Sequence, residues 1–364
     1  MKPILQVLAF LLLALAVPCL NDRDTLEVEA MARKDLAETI VGRFDRNPPL
    51  YYSMRIARLQ KLAKLTLDDY DDLAVALDRL GRDEEAIQVM ARKKADLDRL
   101  APGANMHAWY TYHANLGTFQ AHLWIHNGAK VETIDQLLQG RWHINKAMVI
   151  NPEAHYGREF AQRGVMDWLL AIKTKQTALP LGEWLAKPQK DQSYPYPTED
   201  YTLGLQGLIL LGGAWQSVDI YQAIQFDLAK HYAPELSVFV GYAVQDLLNS
   251  GKKGIVPATL PPPTLGPGRE AIIRATYDKF RANAEAYTKN RDTFLLAKLQ
   301  QGKHPDTDPT FMDGYVEVPK ETWPQKPKPI RPLNPFYVGF FALGVALAAL
   351  FGFLVLRVRR LRAS

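Results

Sequence analysis

The stretch that decides the fold is Leu65 to Asp98, LTLDDYDDLAVALDRLGRDEEAIQVMARKKADLD. Its apolar and small residues, Tyr70, Leu73, Ala74 and Leu77 before Gly81, then Ala86 and Met90 after it, follow the 3.6-residue period of two helices interrupted by a turn. Two helices that pack closely need alanine or glycine where they touch and large apolar residues around that contact. This stretch supplies both.

The same spacings resemble a tetratricopeptide repeat, and Gly81-Arg82-Asp83-Glu84-Glu85-Ala86 resembles its inter-helix turn and the start of its second helix. Lys93 departs from the repeat, standing where a small residue is expected. A looser match covers Ala108 to Pro152: Trp109, Leu116 and Gly117 fit the first helix, Ala147 and Pro152 the end of the second. That unit is about eleven residues longer than the usual 34, so its helices are expected to be extended. The resemblance implies an all-α fold of antiparallel helical hairpins, an α-solenoid, with a non-repeat helical bundle as the alternative.

Outward from these repeats the pattern stays helical. Asp24 to Phe44 reads as one helix, Asn47-Pro48-Pro49 as a break and restart, and Leu50 to Leu65 as an amphipathic helix with Tyr52, Ile56, Leu59 and Ala63 on its apolar stripe. Pro152 to Lys175, Thr198 to His231 and Ala233 to Ser250 are further helical segments, the second apolar enough to be buried. Residues 24–250 therefore form the expected helical-repeat domain. A proline-rich linker at 251–268 leads to a long polar helix at 269–302. Residues 303–334, with Pro324, Pro327, Pro329 and Pro332, are expected to form a stalk whose last dozen residues could reach on the order of 35 Å as polyproline.

The chain ends set the expected topology. Lys2 and the apolar run Val7 to Val17 read as a signal peptide over residues 1–16, with Ala14-Leu15-Ala16 as the cleavage pattern. The only cysteine, Cys19, follows Pro18, where a lipid-attachment site requires a small residue, so it is read as incidental. Phe336 to Leu356 is uncharged and long enough to span a bilayer, giving a transmembrane helix at 335–356. Arg357, Arg359, Arg360 and Arg362 follow as a cytoplasmic tail at 357–364. Gly344, Ala348 and Gly352 put small side chains on one face of that span, where homo-oligomerisation is the alternative to a monomeric anchor. The expected location is a bacterial cytoplasmic membrane with the helical body outside; the lone cysteine and the lack of a glycosylation sequon favour a bacterium.

Charge narrows the function. The net charge is +5, but Lys2 and the four tail arginines supply all of it, leaving 39 basic residues against 39 acidic ones. A neutral body gives no basic patch to displace phosphate counterions, so no nucleic-acid partner is expected. No nucleophile elbow, zinc-protease helix or phosphate-binding loop occurs, and Ser250 with Lys253 is an isolated SxxK in a glycine-flanked loop. No catalytic residue is assigned and no cofactor is expected.

Two groups of side chains are candidates for binding. Trp109, Tyr112, Trp124 and Trp142 are aromatics that could line a groove for a protein or peptide partner, or else pack between helices. Five of the eight histidines lie between His107 and His143. His122 and His126 stand four apart on one helical face and could chelate a metal, with His113 or Asp135 as a third ligand, or else be an ordinary histidine pair. The leading expectation is a membrane-tethered scaffold for protein interaction. A metal-dependent hydrolase built on His122 and His126, or an oligomerising envelope component, is the alternative.

Overall fold

The computed structural model describes residues 36–101, 103–152, 158–187, 201–231, 233–256 and 265–322. All but Thr322 belong to one compact unit ending at Glu321. The signal peptide, Cys19, the transmembrane run and its Gly344, Ala348 and Gly352 lie outside the described residues. Among those described, no helix is long and apolar enough to cross a membrane.

The described fold is all-α. Its helices are α1 (Leu36–Val41), α2 (Pro49–Leu59), α3 (Leu67–Arg79), α4 (Asp83–Leu97), α5 (Met106–His126), α6 (Asp135–Ile150), α7 (Arg158–Lys173), α8 (Leu181–Leu185), α9 (Thr202–Leu211), α10 (Val218–Lys230), α11 (Pro234–Asn249) and α12 (Pro267–Gln300). From α2 to α7 each helix packs on the next; α9 packs on α7 and α1, and α12 on α11, α1 and α2.

Local chemistry sets the first hairpin. Thr66 caps α3: its hydroxyl accepts the Asp69 amide at 3.1 Å, while the Asp69 carboxylate accepts the Thr66 amide at 3.0 Å. At the other end Gly81 takes φ +71°, and bonds from Gly81 to the Asp78 carbonyl and from Arg82 to the Leu77 carbonyl close the helix. The chain then doubles back into α4. Tyr70, Leu73, Ala74, Leu77, Ala86 and Met90 are all buried in the resulting core.

The cap at Thr66 also corrects the preceding helix. α2 stops at Leu59 rather than continuing to Leu65, because the chain must leave the helical path before it can restart at Thr66. Ala63 is exposed, and the buried face of α2 is Tyr51, Arg55, Ile56 and Leu59.

α5 and α6 form the second hairpin, and their backbones meet at glycine. A Cβ on Gly117 would lie 2.8 Å from the Gly140 carbonyl oxygen and 2.9 Å from Ile144; one on Gly140 would lie 2.7 Å from the Gly117 oxygen. α5, at 21 residues, exceeds the 13 of α3, and the connection at 127–134 is longer than that at 80–82; together these account for the long spacing of this unit.

The C-terminal portion departs from expectation. Residues 303–321, assigned by composition to a stalk, lie against the helical body. Arg55 grips the Asp306 carboxylate with Nε at 2.8 Å and Nη2 at 2.6 Å, and Arg58 adds a third bond at 2.7 Å. His304 donates from Nε2 to the Tyr51 carbonyl, and Phe311 is buried beside Tyr51, Leu295 and Leu299. Arg43 reaches Glu317 and the Val318 carbonyl. Sequence distance hid these contacts: about 250 residues separate Arg55 from Asp306, and neither carries a local signal. The linker is tethered as well, since Asp219 accepts the amides of Ile255 and Val256.

Burial alone would raise the Asp306 carboxyl, but the bonds and charge of Arg55, then His304 and Arg58, hold it down at about 2. Asp306→Ala takes from the buried Arg55 guanidinium its carboxylate partner. It should cost about 3–5 kcal/mol in denaturant unfolding and expose residues 303–321 to limited proteolysis. Gly117→Ala, which forces the α5 and α6 backbones apart, should cost about 1–3 kcal/mol in the same measurement.

Candidate functional site

α5 carries the side chains of interest on two sides. Its buried residues go all round the helix: Tyr110, Thr111, Asn115, Thr118, Phe119, His122 and Trp124 do not share one stripe. A helix enclosed in this way must pair its polar atoms within the protein.

Toward α3 and α4 it presents Thr111, Asn115, His122 and His126. At one end of this seam Lys93, fully buried, donates to Asp71 at 2.5 Å and to Thr111 at 2.7 Å. Thr111 and Asn115 donate to the same carboxylate. Burial pushes the Asp71 carboxyl up and the Lys93 amine down, each against the attraction of the other. Lys93, the residue that breaks the repeat pattern, is therefore the counter-charge of Asp71.

At the other end, His122 Nδ1 lies 2.7 Å from Asp78 Oδ1, and His126 Nδ1 lies 2.5 Å from Asp83 Oδ2. Asp78, Asp83 and His122 are buried, and one ligand atom from each lies within 4.8 Å of the others. The His126 side chain is 50% exposed. Its bond to Asp83, opposed by burial, raises the imidazole above its ordinary value. Thus the structure keeps His122 and His126 side by side, with ring centroids 5.9 Å apart, but corrects their third partner. Asp78 and Asp83 take that place. His113 is engaged elsewhere, and Asp135 is exposed at the start of α6.

The aromatic candidates divide. Trp124 is fully buried, its indole donating to the Lys130 carbonyl at 2.9 Å, and it packs the hairpin rather than lining a groove. Trp109, Tyr112 and Trp142 do come together, around two imidazoles. His113 and His143 join Nδ1 to Nδ1 at 2.8 Å; the Trp109 ring stacks on His113, and the Trp142 ring meets His113 and His143 edge to face. Tyr112 is buried at the base of this cluster and Trp142 is 52% exposed at its rim.

Trp142 continues an apolar line along α6. Leu138, Trp142 and Val149, exposed by 45, 52 and 57%, fall on one face, since offsets of four and eleven residues return to nearly the same angle. The inner face of α6 holds Leu137, Gly140, Ile144, Ala147 and Met148. The helical period separates the outer stripe from that inner face, but both carry apolar residues, so periodicity alone does not say which of the two meets solvent. His143 was likewise missed as the partner of His113, 30 residues away.

Burial lowers His113 to about 4, and burial with the neighbouring His113 lowers His143 to about 3, against 6.5 for a free histidine. Between 6.5 and 4 the unfolded chain therefore binds more protons than the folded one. The contribution of the neutral pair is full above pH 6.5 and is lost as the pH falls toward 4. In urea titrations across that window, wild type should lose stability more steeply than the His113→Leu/His143→Leu double variant. The chain matches no protein-family profile, no curated protein and no solved structure.

Proposed function

We propose that this protein is a membrane-tethered helical-repeat scaffold that recruits a protein or peptide partner through the outer face of α6. The stripe of Leu138, Trp142 and Val149 carries the reading. Single exposed apolar residues are ordinary on a protein surface, whereas three in line on one helix, with a tryptophan at the centre, have the composition of a binding surface. The His113 and His143 rings brace Trp142 from one side and the Lys146 amine lies 5.2 Å from its ring centroid, so the indole is held in place before a partner arrives.

The hairpins α3–α4 and α5–α6, with the tetratricopeptide-like spacing of Leu65 to Asp98, support a repeat scaffold, since stacked helical repeats offer extended surfaces to partners. The uncharged run Phe336 to Leu356 and the arginines after it support an anchor in a bacterial cytoplasmic membrane, with the helical body outside.

Photo-crosslinking with the full chain in detergent or native membrane tests the reading. A photoreactive residue at position 142 should give a reproducible adduct with one partner, and the same probe at exposed Asp278 should not. Trp142→Ala should reduce capture at least tenfold and leave the melting temperature unchanged. Equal adducts at both positions, or capture indifferent to Trp142→Ala, would overturn it.

A further inference from the structure

The two ends of the α3–α4–α5 seam are neutralised differently. Asp71 has a buried lysine, whereas Asp78 and Asp83, with side chains 2% exposed, have only histidines as ion-pair partners among the described residues. Buried carboxylates ordinarily pair with a fixed cation or coordinate a metal.

Two potential ligand atoms in this cluster are also unused. His122 Nε2 and Asp83 Oδ1 are buried without a hydrogen-bond partner, on residues 7% and 3% exposed. A native structure rarely leaves such atoms unpaired, and two on adjoining side chains point to a missing common partner. That partner must be positive or a donor, because a carboxylate oxygen only accepts. An imidazole nitrogen whose ring proton sits on Nδ1 likewise offers a lone pair at Nε2.

We propose that Asp83, His122 and His126 bind one divalent first-row transition metal ion at the α3–α4 turn, with Asp78 as the positioning residue. Asp78 fixes His122 through Nδ1 and leaves Nε2 free, the arrangement in which a second carboxylate orients a metal-ligating histidine. Bonds of about 2.0–2.2 Å place ligand atoms roughly 3–4.4 Å apart. The side chains start close to that: Asp78, Asp83 and His122 each bring one ligand atom within 4.8 Å of the others, and His126 Nδ1 lies 2.5 Å from Asp83 Oδ2. Mixed imidazole and carboxylate ligands favour zinc, cobalt or manganese over the hard all-oxygen ions calcium and magnesium. His126, half exposed, gives the ion its route in and puts the remaining coordination positions toward solvent.

The test uses the full chain, stripped with a chelator and titrated with Co²⁺ and, separately, Zn²⁺. One equivalent of Co²⁺ should bind with a visible absorption spectrum of nitrogen and oxygen ligation, and Zn²⁺ should displace it and raise the melting temperature. Asp83→Asn and His122→Gln should each weaken binding tenfold or more. His126→Gln, at a half-exposed position, tests the site without risk to the core and should weaken it too. His113→Gln, outside the cluster, should leave affinity unchanged. Absence of binding in wild type, or undiminished binding in all three cluster variants, would overturn the assignment.

Discussion

α5 is buried over fourteen of its 21 residues, and that enclosure is the constraint on which the rest of this structure depends. A helix packed on all sides can approach a neighbour closely only where side chains vanish, which is why α5 meets α6 at Gly117 and Gly140. It also takes its polar groups out of water, so each must be met from another helix. Asp71 and Lys93 meet Thr111 and Asn115 from α3 and α4, while Glu159 and Gln162 of α7 meet Tyr110 and Thr118. The register between hairpins is set by these partners as much as by apolar contact, because a slip of one turn would strand several buried polar atoms at once.

The seam between α3 and α5 shows how one helix face can serve two ends. Asp71 and Asp78 lie seven residues apart on α3, two turns along the same face. The first is enclosed with a lysine, which gives a closed electrostatic unit nearly shut off from solvent. The second shares its surroundings with Asp83 and two histidines beside the turn, where His126 reaches water. A neutral imidazole is both a donor and an acceptor, and it is a ligand that lysine cannot replace at neutral pH. The same scaffold thus carries a structural end and an end with free coordinating capacity.

The return of residues 303–321 onto α2 and α12 changes what the C-terminal region does. Asp306, His304 and Phe311 together join a segment near the end of the described chain to a helix near its start. A bidentate arginine held by packing loses little freedom on binding its carboxylate, so this junction is firmer than surface ion pairs such as Arg82 with Glu85.

The sequence by itself determined the local elements. Apolar periodicity, Gly81 and the prolines at the start of α2 are signals within a few residues of the structure they specify, and they identified the all-α class, the α3–α4 hairpin and the long α12. The placement of His122 and His126 on one face followed from helical spacing alone. Tertiary structure decided what those faces meet. Nothing near His122 announces Asp78, nothing near Arg55 announces Asp306, and Lys93 looks like a flaw in a repeat until Asp71 is opposite it. Trp109, Tyr112, Trp124 and Trp142 were alike as sequence, yet packing buried Trp124 and left Trp142 at the surface. The physical reason is range: helix propensity, capping and periodicity act over one or two turns, whereas burial and charge pairing are settled by residues far apart in the chain.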